Sequence, residues 1–135
     1  MSLCRVRVIA GAICLFFATR AYSADAVWTG GTSTDFNTGS NWVGGSAPGS
    51  PDNAVFSTTF ALQPTLSVAK GIDGVWMTGN SGQNVVISGS AGNSLNFSGG
   101  TINGTGGLGI LVDNANAFSL TINAPISVSG VQTWR

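Results

Sequence analysis

Short apolar runs recur along the chain after residue 60, and most of them alternate apolar with polar positions. Pairs such as Leu95 and Phe97, or Leu120 and Ile122, are two positions apart, which places both side chains on one face of a β-strand. No stretch has apolar residues at helical spacing, and glycine is frequent throughout. The pattern predicts an all-β fold with seven strand segments: TLSVA (65–69), GVWMT (74–78), NVVIS (84–88), SLNFS (94–98), GILVD (109–113), FSLTI (118–122) and PISVS (125–129).

The connections between these segments favour a solenoid, in which each strand stacks on the strand of the preceding turn. Connections such as SGSAGN (88–93) and SGGTINGTGGLG (98–109) are longer than the two-residue turns of common hairpins. Asparagine tolerates left-handed backbone and can stack its amide, which suits the bends. We therefore predict a parallel β-helix, or β-solenoid, with a β-sandwich or jelly roll as the alternative. The asparagines expected at the bends are Asn80, Asn84, Asn93, Asn96, Asn103, Asn114, Asn116 and Asn123.

The segment before these strands, VWTGGTSTDFNTGSNWVGGSAPGSPDNAVF (27–56), places four large aromatic residues among small polar ones. The first turn of a solenoid would otherwise expose unpaired backbone groups and an apolar core. One buried aromatic contributes at most about 4–6 kcal/mol, whereas ordering the backbone of one residue costs about 1–2 kcal/mol. An irregular segment of this length therefore needs all four aromatic residues buried in order to be ordered. We predict that residues 24–62 form an N-terminal cap and residues 63–135 the solenoid coils, with Trp28, Phe36, Trp42 and Phe56 as the structural cap residues.

The start of the chain, residues 1–23, has the pattern of a secretory signal peptide. Two arginines precede an apolar run of about a dozen residues, and small residues follow it. A membrane span would need roughly 20 apolar residues. Ala21 and Ser23 fit the positions −3 and −1 of a cleavage site, which predicts cleavage between Ser23 and Ala24; a second possible site follows Ala26. The predicted location is secreted, extracellular or on a bacterial outer surface.

Removal of this leader changes the composition. Both cysteines lie within it, so the mature chain can form no disulfide and no thiolate metal site. The mature chain then contains two basic residues, Lys70 and Arg135, and five aspartates, so its net charge is −3. This balance argues against nucleic-acid binding, which needs clustered basic residues, and against a polybasic membrane contact. We predict no cofactor and no metal.

The candidate catalytic motifs are weak. GTGGLG (104–109) matches Gly-x-Gly-x-x-Gly, but a strand rather than a helix is predicted after it, so we reject a dinucleotide site. Nucleophilic triads need a base, and the chain has no histidine. Asp35, Asp52, Asp73 and Asp113 lie in turn-like contexts, where aspartate usually closes a turn. We therefore predict that the protein is not an enzyme.

The opening of the mature chain resembles the start of passenger regions in the autotransporter-associated β-strand repeat proteins of bacteria. That resemblance implies a right-handed β-helix displayed outside the cell. It also implies a longer chain with an outer-membrane β-barrel or a sorting signal, which this sequence does not include, so we expect it to be a fragment. The matching positions are Trp28, Gly30, Asn41, Trp42, Pro48, Asp52, Ala54 and Phe56.

The predicted function is that of a non-enzymatic, exported bacterial surface protein: the start of a β-solenoid passenger with a structural or adhesive role. Expected partners are extracellular glycans or surfaces, and self-association through the open end of the solenoid. One alternative is a secreted carbohydrate-binding module, in which Trp28, Trp42 and Trp76 face solvent and contact a glycan. Another is a polysaccharide-active enzyme on a β-helix.

Overall fold

The computed structural model describes residues 23–113, 115 and 118–135. Within these residues the chain forms strands and one short 3-10 helix, Gly39–Asn41, but no α-helix, so the all-β prediction is confirmed. The predicted signal peptide lies, except for Ser23, outside the described residues. The strands are β1 (Asp25–Val27), β2 (Asn53–Phe56), β3 (Thr65–Leu66), β4 (Lys70–Ile72), β5 (Gly74–Met77), β6 (Val85–Gly89), β7 (Leu95–Phe97), β8 (Gly100–Ile102), β9 (Thr105–Val112), β10 (Leu120–Ile122), β11 (Ile126–Val128) and β12 (Thr133–Trp134).

The strands form three sheets whose neighbours are nearly all parallel. The first sheet has the order β1-β2-β5-β9-β12, with β8 also paired to β9; the second is β3-β6-β10 and the third β4-β7-β11. Only the β8–β9 pair is antiparallel among the described strands. The partners are far apart in sequence, since Asn53 pairs with Gly74 and Val75 with Ile110.

One apolar core serves all three sheets. Val75 of the first sheet, Ile87 of the second and Phe97 of the third are each at most 1% exposed and belong to the same buried cluster. Alternation along the strands produces this arrangement, as in β7, where Leu95 and Phe97 are buried and Asn96 between them is partly exposed. Strands β1 and β2 of the predicted cap segment belong to the first sheet together with strands of the predicted coil segment.

Each of the seven predicted segments contains a strand, but the alternation is wrong in two of them. Val68 is 57% exposed because β3 already ends at Leu66. Ile126 and Val128 are 39% and 45% exposed because β11 lies at the edge of the third sheet, with a neighbour on one side only. Sequence patterning missed five strands: β1, β2, β4, β8 and β12.

A hairpin lies inside the connection 98–109, which was expected to be too long for one. Ile102 of β8 pairs antiparallel with Thr105 of β9, and the two residues between them form the turn. Asn103 has φ 48° and Gly104 φ 75°, the positive values that a type I′ hairpin turn requires and that the Asn-Gly sequence favours. The expectation against hairpins is therefore wrong at this position.

Asparagine serves the bends differently from the prediction. Among the described residues other than glycine, only Asn103 has a positive φ. Asn84 and Asn93 act through their side-chain amides: Asn84 accepts a hydrogen bond from the backbone N–H of Ser119 (2.9 Å), and Asn93 donates one to the carbonyl oxygen of Leu66 (3.0 Å). Asn114 and Asn116 lie outside the described residues.

Candidate functional site

The aromatic residues near the N-terminus form one buried cluster. Trp28, Phe36 and Phe56 are fully buried and Trp42 is 3% exposed. The Trp42 ring packs edge-on against Phe36 (centroids 4.7 Å apart) and Trp28 (4.9 Å), and it also contacts Phe56 (6.5 Å). Phe60, which sequence patterning did not single out, extends the cluster through Phe56 at 5.8 Å. The four predicted cap residues are thus brought together.

Polar contacts fix the irregular backbone around these rings. Each of the two buried indoles donates its N–H to a carbonyl oxygen: Trp28 to Leu62 at 2.9 Å and Trp42 to Phe36 at 2.8 Å. An indole N–H needs such a partner when it is buried. These two hydrogen bonds attach the cluster to the backbone at Phe36 and at Leu62.

Asn41 has a role that sequence patterning missed. Its side chain is fully buried; its carbonyl oxygen accepts the backbone N–H groups of Thr32 (3.0 Å) and Ser33 (2.8 Å), and its amide group donates to the carbonyl oxygen of Asp35 (2.8 Å). One neutral side chain thereby satisfies backbone groups of the loop that precedes it. The available signal was its position directly before Trp42 in a segment of small polar residues.

The same loop pairs with the edge of the second sheet. The backbone N–H of Phe36 donates to the carbonyl oxygen of Thr65 (2.9 Å), and the N–H of Thr65 donates to the carbonyl oxygen of Thr34 (2.7 Å). Asp35 and Thr65 form a parallel bridge through these contacts. Residues 34–36 therefore occupy the side of β3 that β6 leaves free.

Burial corrects the predicted glycan contacts of two tryptophans. Trp28 and Trp42 have no ring face accessible to a sugar, because both lie inside the cluster. Trp76 is half-buried on the outward face of the first sheet, where its indole N–H donates to the carboxylate of Asp113 at 3.1 Å. Of the three, Trp76 alone keeps exposed ring surface, and its glycan contact stays a prediction.

The aspartate carboxylates accept hydrogen bonds from N–H and O–H groups of the same chain. The Asp35 carboxylate accepts hydrogen bonds from the backbone N–H of Asn37 (3.0 Å) and the hydroxyl of Thr38 (2.8 Å). Burial raises the pKa of Asp35, but hydrogen bonds from Asn37, Ser67 and Thr38 outweigh it, so the pKa is lowered. Asp73 accepts the hydroxyl of Ser98. The Asp35 contacts agree with the predicted turn-closing role, whereas the Asp73 carboxylate contacts a residue 25 positions further along the chain and so joins two separate segments.

A groove beside the third sheet is lined mostly by small polar residues, together with the apolar Ile72 and Phe97. Gly71, Asn96 and Ser127 are register partners on neighbouring strands of this sheet. The Ser98 hydroxyl lies 3.2 Å from the carbonyl oxygen of Ile72 as well as beside the Asp73 carboxylate, and its single hydrogen is donated to one of these acceptors at a time. The groove is lined by Ser50, Gly71, Ile72, Asn96, Phe97, Ser98, Ser127 and Ser129.

The rejected glycine motif lies in the hairpin. Gly104 is in the turn, and Gly106 and Gly109 lie within β9. A dinucleotide-binding loop would join a strand to a helix. Within the described part of the chain, no group of three or more histidine, cysteine, aspartate or glutamate residues is placed to hold a metal ion. No helix among the described residues has the length and apolar character needed to cross a membrane.

Comparison with known proteins gives no relative. No protein-family model, no curated protein and no solved structure matches this chain. The resemblance to the autotransporter-associated repeat proteins therefore depends on the residues quoted for it.

Proposed function

We propose that this chain is the capped beginning of an exported β-solenoid that serves as a structural or adhesive element on a bacterial surface. The observation that carries the proposal is the path of the chain through its sheets. Strands β2, β3 and β4 enter the first, second and third sheet in turn, β5, β6 and β7 do so again, and β9, β10 and β11 follow the same order. Three strands per turn, each parallel to its equivalent in the next turn, is the arrangement of a coil.

The register of the strands supports a coil as well. Phe56, Met77 and Val112 are register partners on consecutive strands of the first sheet, and Ile72, Phe97 and Val128 are partners in the third. Such columns stack apolar side chains on apolar ones from one turn to the next. A sandwich of hairpins would instead pair sequence neighbours antiparallel. Parallel crossovers are almost always right-handed, so we propose a right-handed coil.

The aromatic cluster closes the first turn in this proposal. Residues 34–36 bind the free side of β3, and the rings of Trp28 and Trp42 cover the apolar interior. A cap of this kind keeps unpaired strand edges from recruiting other chains. A closed and rigid end suits a scaffold that presents its long faces rather than its tip.

Engineered disulfides test the coil. The only cysteines, Cys4 and Cys14, lie in the predicted leader. In the processed chain, two introduced cysteines can therefore form a disulfide only with each other. Asn96 and Ser127 are register partners on adjacent parallel strands about 4.8 Å apart, within the range of Cα separations that a disulfide accepts. We expect Asn96→Cys with Ser127→Cys to cross-link on mild oxidation.

The matched control pairs Asn96→Cys with Thr121→Cys, since Thr121 lies on a strand of the second sheet at the same turn as Ser127. This pair should stay reduced under the same conditions. Cross-linking of the control at a similar rate, or none in the first pair, would contradict the stacked coil.

Protease digestion of intact cells that express the full chain then tests surface display, because an exposed chain is degraded while a cytoplasmic marker protein is not.

A second candidate function is glycan binding at Trp76. The half-exposed indole beside the carboxylate of Asp113 combines an apolar ring surface with a hydrogen-bond acceptor, and binding sites for small polar molecules use both. A glycan array with the wild-type chain and Trp76→Ala tests it. Binding that survives the substitution unchanged would exclude Trp76 as the contact.

A further inference from the structure

The structure bears on which of the two possible leader-cleavage sites is used. This inference rests on the export part of the proposed function. The peptide bond between Ser23 and Ala24 lies just before β1, and Ala24 and Asp25 are exposed. The backbone N–H of Ala24 donates to one carboxylate oxygen of Asp52 at 3.2 Å. The other oxygen of Asp52 accepts the N–H of Gly49 (3.2 Å), so this carboxylate is held in place by its own turn.

We propose that the chain is processed between Ser23 and Ala24, and that Asp52 is the binding site for the ammonium group that processing creates. Hydrolysis by a signal peptidase adds one water across the Ser23–Ala24 amide bond. Ser23 leaves with a carboxylate, and the released amine of Ala24 takes up a proton. The group that donates one neutral hydrogen bond to Asp52 thereby becomes a charged donor, and charge-assisted hydrogen bonds are the stronger kind.

Asn53 shows that the fold tolerates this cleavage. Its buried amide group has three oxygen acceptors within reach: Ser23 Oγ (3.1 Å), Asp25 Oδ1 (2.9 Å) and the carbonyl oxygen of Thr101 (2.9 Å). An amide group has only two hydrogens. Loss of Ser23 therefore leaves Asp25 and Thr101 as partners for both of them.

Cleavage at the second site, after Ala26, would damage the same region. It would remove two of the three register pairs between β1 and β2, Asp25 with Asn53 and Ala26 with Ala54. It would also remove the Ala24 carbonyl oxygen that accepts the backbone N–H of Asn53 at 2.8 Å. Asn53 is fully buried, so that N–H would be left without a partner, which is costly. The structure therefore favours the first site.

The test begins with the full chain exported from a bacterial host. Mass spectrometry of the purified product should give an N-terminus at Ala24. The α-amine is then acylated at pH 7, where only its unprotonated form reacts. An exposed ion pair contributes roughly 0.4–1 kcal/mol, so the amine of Asp52→Asn should react about two- to fivefold faster than that of the wild type. Asp113→Asn removes the same charge far from the terminus and should react at the wild-type rate.

Each result decides a separate point. An exported product that begins at Val27 overturns the inference and leaves the proposed export intact. A product that begins at Ala24 but reacts equally fast in the wild type and Asp52→Asn overturns the pairing with Asp52. A chain that keeps its leader uncleaved overturns the proposed export itself.

Discussion

Truncation of Trp42 is the most direct perturbation of the aromatic cluster. The ring is 3% exposed, contacts Trp28, Phe36 and Phe56, and donates its N–H to the carbonyl oxygen of Phe36. Replacing a buried tryptophan by alanine costs about 3–5 kcal/mol for lost contacts and the remaining cavity. The carbonyl oxygen of Phe36 loses its donor, which adds about 1 kcal/mol. We expect Trp42→Ala to lower the free energy of unfolding by about 4–6 kcal/mol.

That loss is large for a domain of this size, since such domains have a total stability of about 5–15 kcal/mol. Urea unfolding of the processed chain, followed by circular dichroism, measures it. With a slope of about 1–3 kcal/mol per molar urea, the midpoint should fall by at least about 1.3 M, or the chain should not fold. Trp42→Phe keeps most of the ring but loses the N–H, and its midpoint should lie between those of the wild type and Trp42→Ala.

The neighbouring residue provides the control. Val43 is 62% exposed, so Val43→Ala should change the free energy of unfolding by no more than about 0.5 kcal/mol. If Trp42→Ala unfolded at the same urea concentration as Val43→Ala, the cluster would contribute nothing to stability and its role as a cap would be refuted.

Three further predictions concern single residues. Gly104→Ala should lower the free energy of unfolding by about 1–2 kcal/mol because Gly104 has φ 75° in the hairpin turn, whereas Gly106→Ala, at a position without positive φ, should be nearly neutral in the same thermal melts. Asp35→Asn should destabilise the chain at pH 6. Because the pKa of Asp35 is lowered in the folded state, its contribution is present above the unfolded pKa of about 3.9 and is lost as pH falls through the folded value, so the difference between the urea midpoints of variant and wild type should shrink as the pH is lowered below about 3.9. Gln63→Glu should lower the free energy of unfolding by about 1 kcal/mol relative to the wild type at pH 7, because it keeps the acceptor for the N–H of Val86 but replaces the Nε2 donor by an oxygen that the carbonyl oxygen of Asn84 repels; an unchanged urea midpoint would contradict this.

The sequence predicts strands where apolar and polar residues alternate along a segment, because that alternation follows burial. It does not predict which strands pair with each other. The apolar residues of β5, for example, predict a strand there. They do not predict its partners, which are β2 and β9: two strands lie between β2 and β5 in the chain, and three lie between β5 and β9. The intervals between paired strands are unequal, and the hairpin of β8 and β9 accounts for part of the longer interval between β5 and β9. The Asn103-Gly104 turn signal was in the sequence; glycines on both sides of it obscured the flanking strands.

The aromatic cluster of Trp28, Phe36, Trp42 and Phe56 was predictable as a group for a different reason. Four large rings in a polar segment leave water by packing on one another and on the apolar core, and here they do both. Which tryptophan stays accessible is set instead by strand register. Trp76 faces outward because Val75 and Met77, its neighbours in β5, face the core. A glycan contact could therefore not be assigned among the three tryptophans from sequence.

The low charge of the chain has a physical explanation in the contacts between strands. Only 7% of the residues are charged, and neutral amides take up hydrogen-bonding positions beside the strands. The Gln63 side chain donates to the carbonyl oxygen of Asn84 (2.9 Å) and accepts the N–H of Val86 (2.8 Å), as a neighbouring strand would. An amide can do this because it carries a donor and an acceptor together, whereas lysine only donates and a carboxylate only accepts. A chain that must satisfy both kinds of backbone group at each bend is therefore better built from asparagine and glutamine than from charged residues.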